Sequence, residues 1–185
     1  VPDFDWVQDQ DGDLRPILAQ VRRAIGWVAR NAALFGGDPD RIYLSGHSSG
    51  AHLAGVALTT DWARQFQLPS NVIKGALLCS GIYDLRPVRL SARSSYVTIT
   101  HEIENNLSAM RHLESIVPQL IVGYGTLETP EFYRQSKEFA EALAARGHTV
   151  QSIVAAYCNH FEVLETLANP YGQLGRAALA QMELG

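Results

Sequence analysis

Arg41-Ile42-Tyr43-Leu44-Ser45-Gly46-His47-Ser48-Ser49-Gly50-Ala51-His52-Leu53-Ala54 is the stretch from which the fold can be read. Its start, Arg41–Ser45, reads as a short buried strand. From Ser49 to Thr59 the chain is rich in Ala and Leu and reads as a helix. Between them lies Gly46-His47-Ser48-Ser49-Gly50, a G-x-S-x-G pattern. Five residues carry little weight alone, but a sharp strand-to-helix turn is what lifts a serine hydroxyl above a sheet, and these flanks supply one. Glycines at 46 and 50 are expected to let backbone segments approach closely there. Ser48 becomes the candidate nucleophile. The amide of Ser49, at a helix N-terminus where amides lack intrahelical partners, becomes a candidate donor to a developing oxyanion.

Working outward, Asp13 is placed to cap a helix with Pro16 in its first turn, and Ile17, Leu18, Val21, Ile25, Val28 and Ala32 follow at helical spacing. Gly36-Gly37 stops it. Further strands are expected over Ile73–Ser80, Pro118–Tyr124 and Thr149–Tyr157. Between the last two lies a helix with Thr129 at its cap, Pro130 at its first position and Gly147 at its end. A helical stretch from Phe161 to Leu184, broken near Asn169-Pro170, closes the chain. Strands alternating with helices predict an α/β fold, a mostly parallel sheet with helices on both faces, whose ligands lie beyond the carboxyl ends of the strands. Residues 83–113, rich in Arg and Ser, fit this plan least and read as a cap-like excursion over the site.

A nucleophilic serine needs a base, and the base an orienting acid. Of six histidines, His160 alone follows a late strand and enters a loop before a helix. His47 and His52 flank the nucleophile, where packing or local hydrogen bonding is expected, and His101, His112 and His148 are expected to be solvated. Two carboxylates compete as the acid: Glu128, after the later strand, is preferred, and Asp84, after the strand that follows the elbow, is the alternative, suited also to capping a turn or pairing with Arg86. Glu131 reads as a helix-start charge and Glu162 as a surface or supporting group. His47 and His52 are five apart rather than at the i, i+4 spacing of two ligands on one helical face, so no metal is expected, nor any other cofactor.

The 185 residues suit one domain with its own core. With 46% hydrophobic and 18% charged residues the composition is that of an ordinary globular protein. A net charge of −4 gives no electrostatic ground for binding nucleic acid or an anionic membrane. Apolar runs such as Ala76-Leu77-Leu78-Cys79 are too short to span a bilayer, and no signal-peptide pattern is read. Cys79 and Cys158 sit in apolar segments and read as a buried, reduced pair, which suits a cytoplasmic location. A homo-oligomer is left open.

These segments resemble a known family. Gly36-Gly37-Asp38-Pro39-Asp40-Arg41-Ile42 with Ser45–Ala54 is similar to the elbow region of the esterase, lipase and arylformamidase branch of α/β-hydrolases. Glu128–Ser136, Asn159–Glu165 and Ser80–Val88 resemble the acid-bearing, His-bearing and intervening segments of kynurenine formamidases. The resemblance implies a triad of Ser48, Glu128 and His160 in a metal-free serine hydrolase, cleaving a small N-formyl aryl amide or a short-chain ester through an acyl-enzyme. A general carboxylesterase without formamidase activity is the rival, and a non-catalytic binding protein that kept the fold is another. Many members of the branch use Asp as the acid, so Glu128 is a departure. A larger one is that the family's H-G-G motif, which supplies further oxyanion amides, is not found. The resemblance implies that residues 1–185 are the C-terminal two-thirds of one domain, with the N-terminal strands missing, and that this segment alone is inactive or insoluble.

Overall fold

In the computed structural model, which describes residues 1–184, the strands stand in one parallel sheet, ordered β1-β2-β3-β4. They are β1 (Ile42–His47), β2 (Ile73–Cys79), β3 (Gln119–Gly125) and β4 (Val150–Ala155), close to the expected bounds. Parallel neighbours need a crossover, and helices supply it. Helix α1 (Leu14–Asn31) precedes the sheet, capped by the Asp13 side chain, which accepts from the Arg15 amide. Helices α2 (Ser49–Leu58) and α3 (Trp62–Phe66) join β1 to β2. Helices α4 (Arg86–Arg89) and α5 (His101–Asn106) lie between β2 and β3, α6 (Pro130–Ala145) between β3 and β4, and α7 (Glu162–Ala168) and α8 (Gln173–Gln181) follow β4. Thr129 stands at the cap of α6, but its hydroxyl makes no capping bond.

Alternation along the central strands sends successive side chains to opposite faces. Ala76 and Leu78 of β2, with Leu120 and Val122 of β3, join the larger core beneath α1, α2 and α6. Leu77, Cys79 and Ile121 face the other way, against Val163 of α7 and Leu174 and Ala177 of α8. Both faces are therefore covered, as expected, and β2 and β3 are apolar almost throughout because neither has a wet side.

Strand β1 departs from its reading. It is half-buried rather than buried, because among the described residues it pairs on one side only, with β2. Val28 of α1, expected on the core face, lies beside this edge at 42% exposure.

Residues 83–113 also do more than overhang. Val97, Ile99, Ile103, Leu107, Ala109 and Leu113 belong to the larger core. The arginines of the segment act partly as internal ties. Buried Glu104 receives Arg89 Nε and Arg111 Nη2, each at 2.5 Å, and the two guanidiniums hold its carboxyl below the usual range. Among the described residues no helix is long and apolar enough to cross a membrane.

Candidate active site

The turn after β1 is built as its sequence demands. Ser48 has φ 56° and ψ −120°, a conformation L residues rarely adopt. Its amide donates to the Cys79 carbonyl at the end of β2 (2.9 Å), which anchors the strained turn to the sheet. Gly46 is obligatory, since a Cβ there would run into the Gly50 carbonyl. Gly50 is not, because a Cβ would meet open space; the expectation that both glycines serve close approach holds for Gly46 alone. Ser49 opens α2, so no carbonyl of its own helix can reach its amide.

Three residues far apart in sequence meet above the carboxyl ends of the strands. Ser48 Oγ lies 2.9 Å from His160 Nε2, and His160 Nδ1 lies 2.8 Å from Glu128 Oε2. A carboxylate only accepts, so Nδ1 carries the ring proton and Nε2 is left to accept from the serine hydroxyl. Asp84 is not part of this chain. Its carboxylate accepts from the Arg86 amide (3.1 Å) and lies 3.5 Å from Arg111, the turn-capping role that was its alternative.

The supports of Glu128 were not anticipated. Its side chain is wholly buried. Oε1 receives the Ser80 hydroxyl at 2.5 Å and the Gly125 amide at 2.7 Å. Ser80 directly follows β2, one strand from Glu128, fully buried and with φ 50°. Its position at a strand's carboxyl end was the available signal. Ser80→Ala is expected to lower kcat/KM about tenfold, the worth of one hydrogen bond to a charged acceptor, while the Gly125 amide still holds the carboxylate. Steady-state kinetics beside a melting curve checks this; an unchanged kcat/KM in a folded variant would count against it.

The loop bearing His160 is braced by another unanticipated device. Asn159 Oδ1 accepts from the Glu162 amide (3.0 Å), and Glu162 Oε2 accepts from the Asn159 amide (2.8 Å). This is a reciprocal capping arrangement, legible in the spacing Asn-x-x-Glu. Exposed Glu162 is thus a support, one of the roles expected of it. Phe132, in the first turn of α6, stacks on the His160 ring with centroids 4.2 Å apart.

The other histidines divide. His47 Nε2 is 2.7 Å from the His160 carbonyl. His52 is buried, with Nδ1 3.0 Å from the Ile82 carbonyl, and burial pushes it down to about 4. His101 is exposed as expected. His112 and His148 are half-buried, and His112 bonds the Asn105 carbonyl (2.8 Å), so neither is simply solvated. The value for His52 has a consequence for stability. Unfolded chain binds a proton there near 6.5 and folded protein only near 4, so stability falls as pH drops through that window, by up to about 1.4 kcal/mol per pH unit. His52→Asn, which keeps a donor toward Ile82 but cannot charge, should flatten that part of the decline. Melting temperatures across the window test it; parallel curves for the two proteins would refute it.

Cys79 is buried and Cys158 only half-buried; both are free thiols, so the expected buried pair is buried in one member. Beside Ser49 and His52 opens a cavity of about 350 Å³, walled by Phe4, Trp6, Leu53 and Tyr96, with Asp5 and Arg93 as its charged members. Arg93 Nη1 donates to the Tyr96 hydroxyl (3.2 Å). The excursion thus contributes to a cavity next to the candidate nucleophile.

The chain is similar to several known proteins. The model of the carboxylesterase family matches residues 18–113. Kynurenine formamidase of Danio rerio is 34% identical over 85% of this chain and 54% of its own length. That of Salmo salar is 33% identical over 92% of this chain and 58% of its own length. The chain thus spans somewhat over half of these two relatives. Among solved structures, Thermogutta terrifontis esterase 2 is similar with a TM-score of 0.67 at 21% identity, covering 98% of this chain and 66% of that one. Carboxyl esterase 2 of Tuber melanosporum gives 0.71 at 16% identity, covering 92% and 61%. At those identities the likeness concerns the fold, which is that of α/β-hydrolases. With the family match extending over more than half of its residues, the chain belongs to the carboxylesterase family.

Proposed function

We propose that this protein is a serine acyl hydrolase acting on a small aryl amide of the N-formyl type or on a short-chain aryl ester. The continuous chain from Ser48 through His160 to Glu128, at 2.9 and 2.8 Å, carries the reading. Ser48 Oγ attacks the carbonyl carbon as His160 Nε2 takes its proton. Glu128 holds the imidazole in the required tautomer and stabilises the imidazolium. The Ser49 amide donates to the oxyanion. Collapse expels the amine or alcohol, which leaves with the proton from His160. Water, deprotonated by the same base, then releases the acid and restores Ser48.

The cavity beside Ser49, with Phe4, Trp6 and Tyr96 in its walls, supports an aromatic substrate. The 83–113 excursion acts in this reading as the cap of that cavity. Similarity to kynurenine formamidases points the same way. A general carboxylesterase is the second reading, favoured by the family match and by similarity to esterases such as LipQ of Mycobacterium tuberculosis, 30% identical over 70% of this chain. Two free thiols suit a reducing compartment such as the cytoplasm. Comparing kcat/KM of the full-length protein for N-formylkynurenine and p-nitrophenyl acetate separates the readings. Preference for the formamide supports the first; equal or better turnover of the ester supports the second. Failure on both, with no labelling of Ser48 by a fluorophosphonate, would sink the hydrolase reading.

A further inference from the structure

His47 ends β1 immediately before the candidate nucleophile, yet its ring is directed at the candidate base. Its Nε2 lies 2.7 Å from the main-chain carbonyl of His160, and the two rings lie 4.6 Å apart, centroid to centroid. A carbonyl oxygen has no proton to give, so Nε2 of His47 is the donor, and the ring must be protonated there. We propose that His47 is a positioning residue for the base: its Nε2–H anchors the His160 main chain while its ring packs beside the His160 imidazole. The inference rests on the reading of Ser48 and His160 as nucleophile and base.

The physical argument begins with the two supports. Ser48 sits on a turn pinned to the sheet by its amide bond to Cys79. His160 sits on a loop, and loops hold their side chains less firmly than strands do. The capping arrangement of Asn159 and Glu162 orders that loop internally but does not tie it to the nucleophile. The bond from His47 does. It places the anchor of the base one residue from the nucleophile, so the 2.9 Å gap between Ser48 Oγ and His160 Nε2 is spanned by one rigid turn. Phe132 packs on the same imidazole, 4.2 Å away. The neutral form of His47 is also the suitable one, because a charged ring would repel the imidazolium formed at His160 in each acyl-transfer step. Burial, the largest influence, lowers its pKa, and nearby His160 adds to this; the bond to the His160 carbonyl and the Glu128 carboxylate pull the other way.

The full-length protein tests this with His47→Phe, which keeps a ring against His160 but has no donor, and His47→Gln, whose amide nitrogen can reach the Nε2 position. The Phe variant should lose about 10- to 100-fold in kcat with KM little changed, since misplacing a reacting group slows chemistry without weakening binding. The Gln variant should recover most of that rate. A folded Phe variant with wild-type kcat, or a loss confined to KM, would overturn the proposal. If the Phe variant does not fold, the Gln variant decides: wild-type kcat at wild-type Tm supports the anchor, and a loss of about tenfold or more in kcat by a folded Gln variant overturns it. Should the wild type neither hydrolyse nor label at Ser48, the hydrolase reading fails by itself. The anchor is then judged by imidazole ¹⁵N shifts at neutral pH, where a neutral Nε2–H ring at His47 supports it and an Nδ1–H or charged ring refutes it.

Discussion

Ser48→Ala is expected to abolish hydrolysis, lowering kcat by about 10⁴- to 10⁶-fold, the range seen when a nucleophile that works as one unit with its base is removed. Ala keeps the Cβ and loses only the oxygen, so the turn at φ 56° and ψ −120° is no more strained than before. The Cys79 bond that pins it uses the main chain and survives. Stability should therefore be equal or slightly higher, because a strained turn kept for a reacting hydroxyl gains no folding energy from that oxygen. Kinetics on p-nitrophenyl acetate, mass spectrometry after fluorophosphonate treatment and a melting curve together check this. Activity within about tenfold of wild type in the variant, a deficit far smaller than the loss of a nucleophile causes, would show that another group attacks.

Glu128→Gln is expected to cost about 10³- to 10⁴-fold in kcat with the fold intact. The carboxylate is wholly buried and accepts from Ser80, Gly125 and His160 at 2.5, 2.7 and 2.8 Å. A glutamine can satisfy Ser80 and Gly125 with its oxygen, but it then turns an NH₂ toward His160 Nδ1. That forces the ring proton onto Nε2, the atom that must accept the proton of Ser48. The variant thus keeps the geometry and loses the tautomer. Asp84→Asn is the contrasting experiment, since that carboxylate caps a turn and faces Arg111. Its kcat should stay near wild type, and a larger loss there than in Glu128→Gln would reverse the choice of acid.

Much of this architecture was legible because it is written in local pattern. Apolar runs of strand length at Ile73–Ser80 and Pro118–Tyr124, helical spacing from Ile17 to Ile25, and the Pro130 start and Gly147 stop each act over a few residues. The misreadings have one source: burial is a property of neighbours. Strand β1 has the composition of a buried strand but, among the described residues, a pairing partner on one side only. Gly50 resembles Gly46 in the motif, yet only Gly46 faces backbone. The excursion over 83–113, read as cap-like from its Arg and Ser content, carries a further role that composition does not record: Glu104 draws two of its arginines into an ion-paired network beside six core side chains.

At the candidate site the division is the same. Ser48 was legible as a candidate because a strand, a tight turn and a helix are consecutive, and His160 and Glu128 were preferred through their order after successive strands. Which carboxylate reaches His160, Glu128 rather than Asp84, that Ser80 and the Gly125 amide hold Glu128, and that His47 reaches the His160 carbonyl from beside Ser48 came from the folded chain alone. Those contacts join residues brought together by the sheet: parallel strands end side by side, so groups dozens of residues apart meet at their carboxyl ends. No local periodicity records which of them will touch.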